Sequence, residues 1–274
     1  MTVLSAYRLI VELRPGYAER LAALSERFAS FRIEQQLDWP ARIEAWLRNF
    51  RGLVDQMTAL GLLERVRLVS RPEEVEGCKA LLAELGRSVA PGKLRHFADE
   101  TSGGLLIRIL EKEVEVDGGT LLRPSSFNDA DLTTLLKSGV VPVIWDRFNG
   151  SGVQLMKKIA TYKPSFDALA NGQSELRFAY LAGHEPKEVP TGVHVHRWIT
   201  TIPMVTDQER SLCSRYAKAA GSKKRKMRYD TGALLTFSDN IPNNAPLVLW
   251  AHETSMWAPL FERIGTRPPK PLKR

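Results

Sequence analysis

Residues Val140–Ile159 read VVPVIWDRFNGSGVQLMKKI, and the string divides into a strand, a turn and a helix. Val140, Val141, Val143 and Ile144 form the β-branched run of a strand buried on both faces, as in a parallel sheet covered by helices. The run ends at Trp145, which places Asp146 at the strand's carboxyl end, where open α/β sheets bind their ligands. Asn149-Gly150-Ser151-Gly152 comes next. Two glycines permit positive φ and close backbone approach, so successive N–H groups can face an anion, and Ser151 adds a hydroxyl donor. Gly152 opens a helix with Leu155, Met156 and Ile159 on one side, whose positive end aims at the same spot. Asp146 would repel phosphate and is suited instead to accept hydrogen bonds from ribose hydroxyls. Together the parts describe a pocket for a ribose 5-phosphate. A bare GxG is usually an ordinary strand-to-helix turn; the strand, the acid and the helix in register set this one apart.

Working outward, the N-terminal side is helical. Residues 17–36 repeat apolar positions at three and four. Asp38 caps a helix that has Pro40 in its first turn and Ile43, Trp46, Leu47 and Phe50 on one stripe. That helix is expected to bend at Gly52 and stop at Gly61. Val66–Val69 suits a short strand, and Ser70-Arg71-Pro72-Glu73 is a capping box opening a helix to Gly86. Beyond Pro91-Gly92 the pattern changes. Leu105–Leu110 reads as a buried strand entered through Thr101–Gly104, and Asn128 or Asp129 caps a helix to Gly139. Arg177–Leu181, Val193–Ile202, Ala233–Phe237 and Leu247–Trp250 read as further strands, and Thr206-x-x-Glu209 caps a helix running to Gly221. Strands alternating with helices predict an α/β fold, a mainly parallel twisted sheet with flanking helices, preceded by a helical N-terminal region. The expected division is a helical region over 1–88 and an α/β core with a basic C-terminal tail over 89–274.

The chain has 274 residues, two of them cysteine, with a formal charge of +8 and a pI near 9.6. A disulfide framework is not indicated; Cys78 and Cys213 read as buried thiols. No apolar run approaches the roughly 18 residues of a membrane helix. The N-terminus lacks the basic and long apolar regions of a signal peptide, so a cytoplasmic protein is expected, with no membrane partner. The positive balance favours polyanionic partners, phosphorylated small molecules or nucleic acid. Lys223, Lys224, Arg225 and Lys226 begin a basic run that reads as a nucleic-acid or diphosphate contact or as a solvated loop.

At Val143–Gly152 the sequence resembles the phosphoribosyltransferase superfamily of the type I fold, whose fingerprint is an apolar strand, two acids, three residues, then Thr or Ser and Gly. Asp146 matches the first acid and Gly150-Ser151-Gly152 the phosphate loop, while Arg147 stands where the second acid would be. The resemblance implies binding of phosphoribosyl diphosphate or a nucleotide, with Mg2+ bridging the diphosphate and no organic cofactor. It implies that Asp146 and Arg147 occupy the catalytic positions and that Asn149, Gly150, Ser151 and Gly152 bind the phosphate. Missing one acid puts transfer in question and leaves binding intact, with Arg147 pairing an extra phosphate or a neighbour's carboxylate. The family's earlier diphosphate loop is matched by Ser102, Gly103 and Gly104, a segment that also suits a plain turn.

More of the chain resembles a divergent branch of phosphoribosyltransferase-like proteins in bacterial conflict systems, including retron-linked effectors. Trp46–Phe50 (WLRNF), Pro124–Asp129 (PSSFND), Asn240–Trp250 (NIPNNAPLVLW) and Trp257–Arg263 (WAPLFER) carry that resemblance. It implies ribosyl transfer or cleavage by an effector in anti-phage defence, with a protein partner. The alternative is a ribose-phosphate sensor or nucleic-acid-binding subunit that keeps the fold without turnover. Two further groups have candidate chemistry. His194-Val195-His196 puts two imidazoles on one strand face, a spacing that can chelate zinc with His184, Glu185 or His252, or simply a hydrogen-bonded pair. Asn243 and Asn244 sit in a proline-rich loop that could face a base or ribose, or only join two strands.

Overall fold

In the computed structural model, Val141–Asn149 is the middle strand of an all-parallel sheet. The structure describes residues 16–31, 37–98, 101–116, 121–122, 139–160, 175–186, 188–220, 232–239, 241–242, 245–250 and 257–261. The strands are β1 (Arg67–Val69), β2 (Leu94–Phe97), β3 (Leu121–Leu122), β4 (Val141–Asn149), β5 (Leu176–Gly183), β6 (Val193–Ile199) and β7 (Leu235–Phe237). The helices are α1 (Tyr17–Phe31), α2 (Trp39–Leu47), α3 (Leu53–Arg65), α4 (Arg71–Gly86), α5 (Thr101–Lys112) and α6 (Asp207–Tyr216), and residues 153–160 are helical as well. The chain forms two units. One is Arg71–Ile202; the other joins Met1–Ser70 to Pro203–Arg274. The expected boundary at 88/89 falls inside the first of these.

The Arg71–Ile202 unit holds the sheet β3-β2-β4-β5-β6, with every neighbouring pair parallel. Side chains alternate between its faces. On one face Ile144, Phe178, Tyr180 and Val193 pack with Leu155 and Ile159 of the 153–160 helix, and Phe97 joins them. A side chain of this size, once buried, contributes about 1.5–3 kcal/mol, so this face alone holds the helix down. On the other face α4 lies so close that a Cβ on Gly77 would come within 2.5 Å of the Trp198 ring. Glycine is there because the helix and strand leave no room for a side chain.

The second unit has its own core. β1 and β7 pair in parallel, Arg67 opposite Leu235. Trp46 Nε1 donates to the Val248 carbonyl at 2.7 Å and Trp257 Nε1 donates to the same oxygen at 3.1 Å. Asn49 and Ala258 exchange two hydrogen bonds of 2.8 and 3.1 Å. Phe50 stands edge-on to both Trp46 and Trp257. Three of the four strings that carried the branch resemblance therefore meet in one aromatic core.

Several expectations need correction. Leu105–Leu110 belongs to helix α5, because Leu106, Ile107, Ile109 and Leu110 are buried while Arg108 is exposed. Leu247–Leu249 is a 3-10 turn after Pro246. Helix α3 runs through Gly61 to Arg65, and nothing stands near that glycine. Gly52 does break the helix, with φ +79. β4 continues past Trp145 to Asn149, and Met156 is exposed. The helix expected from Asn128 or Asp129 lies outside the described residues, as do Asn243, Asn244 and His252.

Candidate ribose-phosphate site

Strand order decides where a ligand can enter. From β2 the chain crosses to β3 on one side, then returns to β4 on the other. The reversal makes a topological switch point at the carboxyl ends of β2 and β4, the place where open parallel sheets bind their ligands. Both glycine segments singled out from the sequence lie at these ends. Ser102, Gly103 and Gly104 are in the first turn of α5, after β2, and Asn149–Gly152 leaves β4. The sequence had placed the first segment at a strand's entry; it stands instead at a helix start following a strand.

The β4 exit is built for open amides. Gly152 has φ +77, a conformation L side chains rarely adopt, and open space where a Cβ would be. Its carbonyl accepts from Met156 N–H at 2.9 Å, the first bond of the 153–160 helix. The Ser151 hydroxyl accepts from Val153 N–H at a long 3.5 Å. Among the described residues no acceptor takes the N–H groups of Gly150, Ser151 or Gly152. Three successive donors at a helix start favour an anion.

Gly103 answers to packing. A Cβ there would lie 2.2 Å from the Trp145 carbonyl oxygen and 2.5 Å from Ala98 Cβ. Its absence lets the first turn of α5 sit against β4. This glycine brings the two segments together rather than facing a ligand itself.

The two acid-position residues occupy opposite faces of β4. Asp146 is 5% exposed, inside the strand rather than at its end. Its Oδ2 accepts from Lys158 Nζ at 3.2 Å and its Oδ1 from Arg147 N–H at 2.7 Å. Arg147 points the other way. Its guanidinium lies 3.0 Å from Glu74 Oε1 of α4, both residues buried. Arg71 reaches Glu74 at 3.5 Å and also pairs with Glu113. Of the two roles expected of Arg147, the one observed is pairing with a neighbour's carboxylate.

Sequence reasoning missed His184 and Lys158 as neighbours of this segment. Lys158 hid in a helix stripe. His184, one residue past β5, donates its N–H to the Asn149 carbonyl at 3.0 Å, and its carbonyl accepts from Asn149 Nδ2 at 3.3 Å. Gly183 permits the approach, since a Cβ there would lie 3.0 Å from Asn149 Cβ. The His184 ring stands edge-on to Phe148 at 6.4 Å. Burial, and then the charge of Arg197, hold its pKa below the ordinary histidine value.

The other candidates fall away from the switch point. His194 and His196 do share a face of β6, but each has a carboxylate: Glu175 at 3.8 Å and Glu84 at 2.6 Å. Among the described residues no group of three His, Cys, Asp or Glu could hold a metal ion. The Mg2+ expected from the sequence is one carried by the ligand's diphosphate, which calls for no such group. Burial pushes the thiols of Cys78 and Cys213 up to about 12, which leaves them inert. Lys223–Lys226 lies outside the described residues. No described helix is long and apolar enough to cross a membrane.

A family model described as PRTase-CE matches residues 196–263. The matched stretch contains the NIPNNAPLVLW and WAPLFER strings and not the Asp146–Gly152 segment. Among solved structures the chain is similar to a hypothetical protein from Neisseria gonorrhoeae with bound ppGpp, at 12% identity, covering 48% of this chain and 80% of that one, with a TM-score of 0.35. It is also similar to a purine phosphoribosyltransferase from Pyrococcus horikoshii Ot3, at 16% identity, covering 50% of this chain and 95% of that one, with a TM-score of 0.29. No curated protein matches the sequence.

Proposed function

We propose that the switch point at the ends of β2 and β4 binds a ribose 5-phosphate group, carried by phosphoribosyl diphosphate or a nucleotide. The observation that carries this reading is the run of three N–H groups, Gly150 to Gly152, without a protein acceptor among the described residues. The phosphate would sit on those amides at the start of the 153–160 helix. Ser151, exposed, would add its hydroxyl, and the first turn of α5 would face the ligand's other end. The PRTase-CE match and the sequence resemblance support the same class of ligand.

Two outcomes follow binding. In the enzymatic one the bond from the anomeric carbon to diphosphate breaks, the ribosyl group becomes cationic, and an acceptor or water takes it while the loop holds the phosphate. That chemistry draws on carboxylates that stabilise the sugar. Here Asp146 is held by Lys158 and the second position is an arginine turned to the opposite face. These two facts favour the other outcome, a sensor or partner-binding subunit that retains the ligand. A place in bacterial anti-phage defence rests on the conflict-system resemblance, and loss of phage protection on deleting the gene in its host is its test.

Titration calorimetry with ribose 5-phosphate, phosphoribosyl diphosphate and nucleotides separates the outcomes, run beside an assay for released diphosphate or base in the presence of Mg2+. Binding without release is the sensor. Gly152→Val should abolish binding, because φ +77 excludes a β-branched residue. Unchanged affinity in that variant would remove the loop from the site.

A further inference from the structure

Charge is divided unequally between the two units. Met1–Ser70 with Pro203–Arg274 holds 23 of the 39 lysines and arginines and 14 of the 31 aspartates and glutamates. Arg71–Ile202 holds 16 and 17, so the formal charge of +8 arises in the other unit. Part of that excess is the Lys223–Lys226 run, outside the described residues. Another part forms a described surface. The Arg51 main-chain N–H, just past α2, donates to Tyr216 Oη at 2.6 Å. Tyr216 ends α6, and its ring stands edge-on to Phe50 at 4.9 Å. These contacts bring the end of α2, with exposed Arg48 and Arg51, against the end of α6, with exposed Arg215 and Lys218. Arg48 and Arg215 pair with Glu44 at 3.3 Å and Asp55 at 2.7 Å, yet stay 61% and 58% exposed while the carboxylates are 34% and 14% exposed. The cations therefore face solvent more than their partners do. Among the described residues no carboxylate pairs with the side chains of Arg51 and Lys218.

We infer that this face binds the phosphate backbone of a nucleic acid. The exposed side of α6 carries Ser211, Ser214 and Arg215, with Lys218 just past its end. Hydroxyls and cations are the donors that proteins place on backbone phosphate oxygens, and arginine meets a phosphate with two parallel N–H groups. None of the exposed residues of α6 is apolar, whereas a helix lying on an anionic membrane needs an apolar side to bury. Charge complementarity therefore selects a nucleic acid. Contacts to phosphate carry no base information, so binding is insensitive to sequence. The face belongs to the unit that does not hold the Gly150–Gly152 amides, and the inference stands apart from the ribose-phosphate reading.

The experiment is fluorescence anisotropy of the full-length protein with labelled single-stranded DNA, single-stranded RNA and duplex DNA, between about 50 and about 200 mM salt. The wild type should bind at least one of them, with affinity that falls steeply as salt rises. Arg51→Ala with Lys218→Ala should weaken binding by about tenfold or more at the lower salt and reduce the slope of log affinity against log salt by about two. Lys79→Ala with Lys112→Ala removes the same charge from exposed positions of the Arg71–Ile202 unit and should change affinity by no more than about twofold, since distant exposed charges are screened. Thermal melting shows that each variant is folded. Equal loss in the two double variants would reduce the effect to net charge and overturn the inference, as would no loss in the first. A wild type that binds none of the three nucleic acids, or binds only phosphatidylserine vesicles, would overturn it as well.

Discussion

At Asp146 a carboxylate meets an ammonium and a main-chain N–H, all inside the protein. Removing one member of a buried pair leaves the other charge stranded, at a cost of about 3–5 kcal/mol. Lys158→Met should therefore lower the urea-unfolding stability by that order, and the double variant Asp146→Asn with Lys158→Met should recover much of it. A carboxylate that instead faced ligand would give little change on losing Lys158. His96 makes a second residue-scale case. Burial, and then Arg95, lower its pKa to about 4, and its Nδ1 accepts from Trp145 Nε1 at 3.1 Å. In the unfolded chain the ring takes a proton near pH 6.5. Between about 6.5 and 4 the unfolded form binds more protons, so stability falls as pH falls, by about 3 kcal/mol in all. His96→Asn should flatten that part of the unfolding-versus-pH curve. None of these partnerships was readable in the sequence. Asp146 and Lys158 are separated by a turn, and only the pleat of β4 reveals that Asp146 and Arg147 face opposite ways.

At the scale of elements, legibility followed how much each segment's pattern owed to its own neighbours. The Val140–Ile144 run announced β4, and Thr206 with Glu209 announced α6, where both halves of the capping box form. Thr206→Ala should cost about 1 kcal/mol in thermal or urea unfolding. Helix α5 was misread because LLIRIL is apolar nearly throughout, and a short apolar run does not distinguish buried strand from buried helix. Gly103 and Gly104 added to the error, since glycine disfavours helices by about 1 kcal/mol. The reason for Gly103 lies outside its own element, in the Trp145 carbonyl it must clear. Gly103→Ala should accordingly destabilise by about 1–3 kcal/mol through overpacking, despite alanine's better helix propensity. A melting temperature equal to or above wild type would refute that account. The open amides of Gly150–Gly152 were legible because the two glycines and the following helix are local signals. The His184–Asn149 hydrogen bonds were not, because they depend on β5 lying beside β4.

For the molecule as a whole, the sequence conveyed the parallel α/β class and not the partition. The first helices and the last strand belong to one unit because β1 pairs with β7 and Trp46 bonds Val248. Such pairings across the chain leave no composition shift or linker to mark them. Residues 71–202, which are contiguous and hold the entire five-stranded sheet, should unfold cooperatively when produced alone, as followed by circular dichroism. Residues 1–70 alone lack β7 and the segment around Trp257, and should show no cooperative transition.

That arrangement also orders events during synthesis. A ribosome delivers α1 to α3 and β1 before the sheet, yet an aromatic partner such as Trp257 emerges only after it. Until then Trp39 and Trp46 are covered only by neighbours from the same early segment, Phe28 and Phe50, while the sheet of residues 71–202 can already close. A nascent chain stalled before Trp250 would present a closed sheet and, from residues 1–70, an unsealed, sticky segment, a natural target for holdase chaperones.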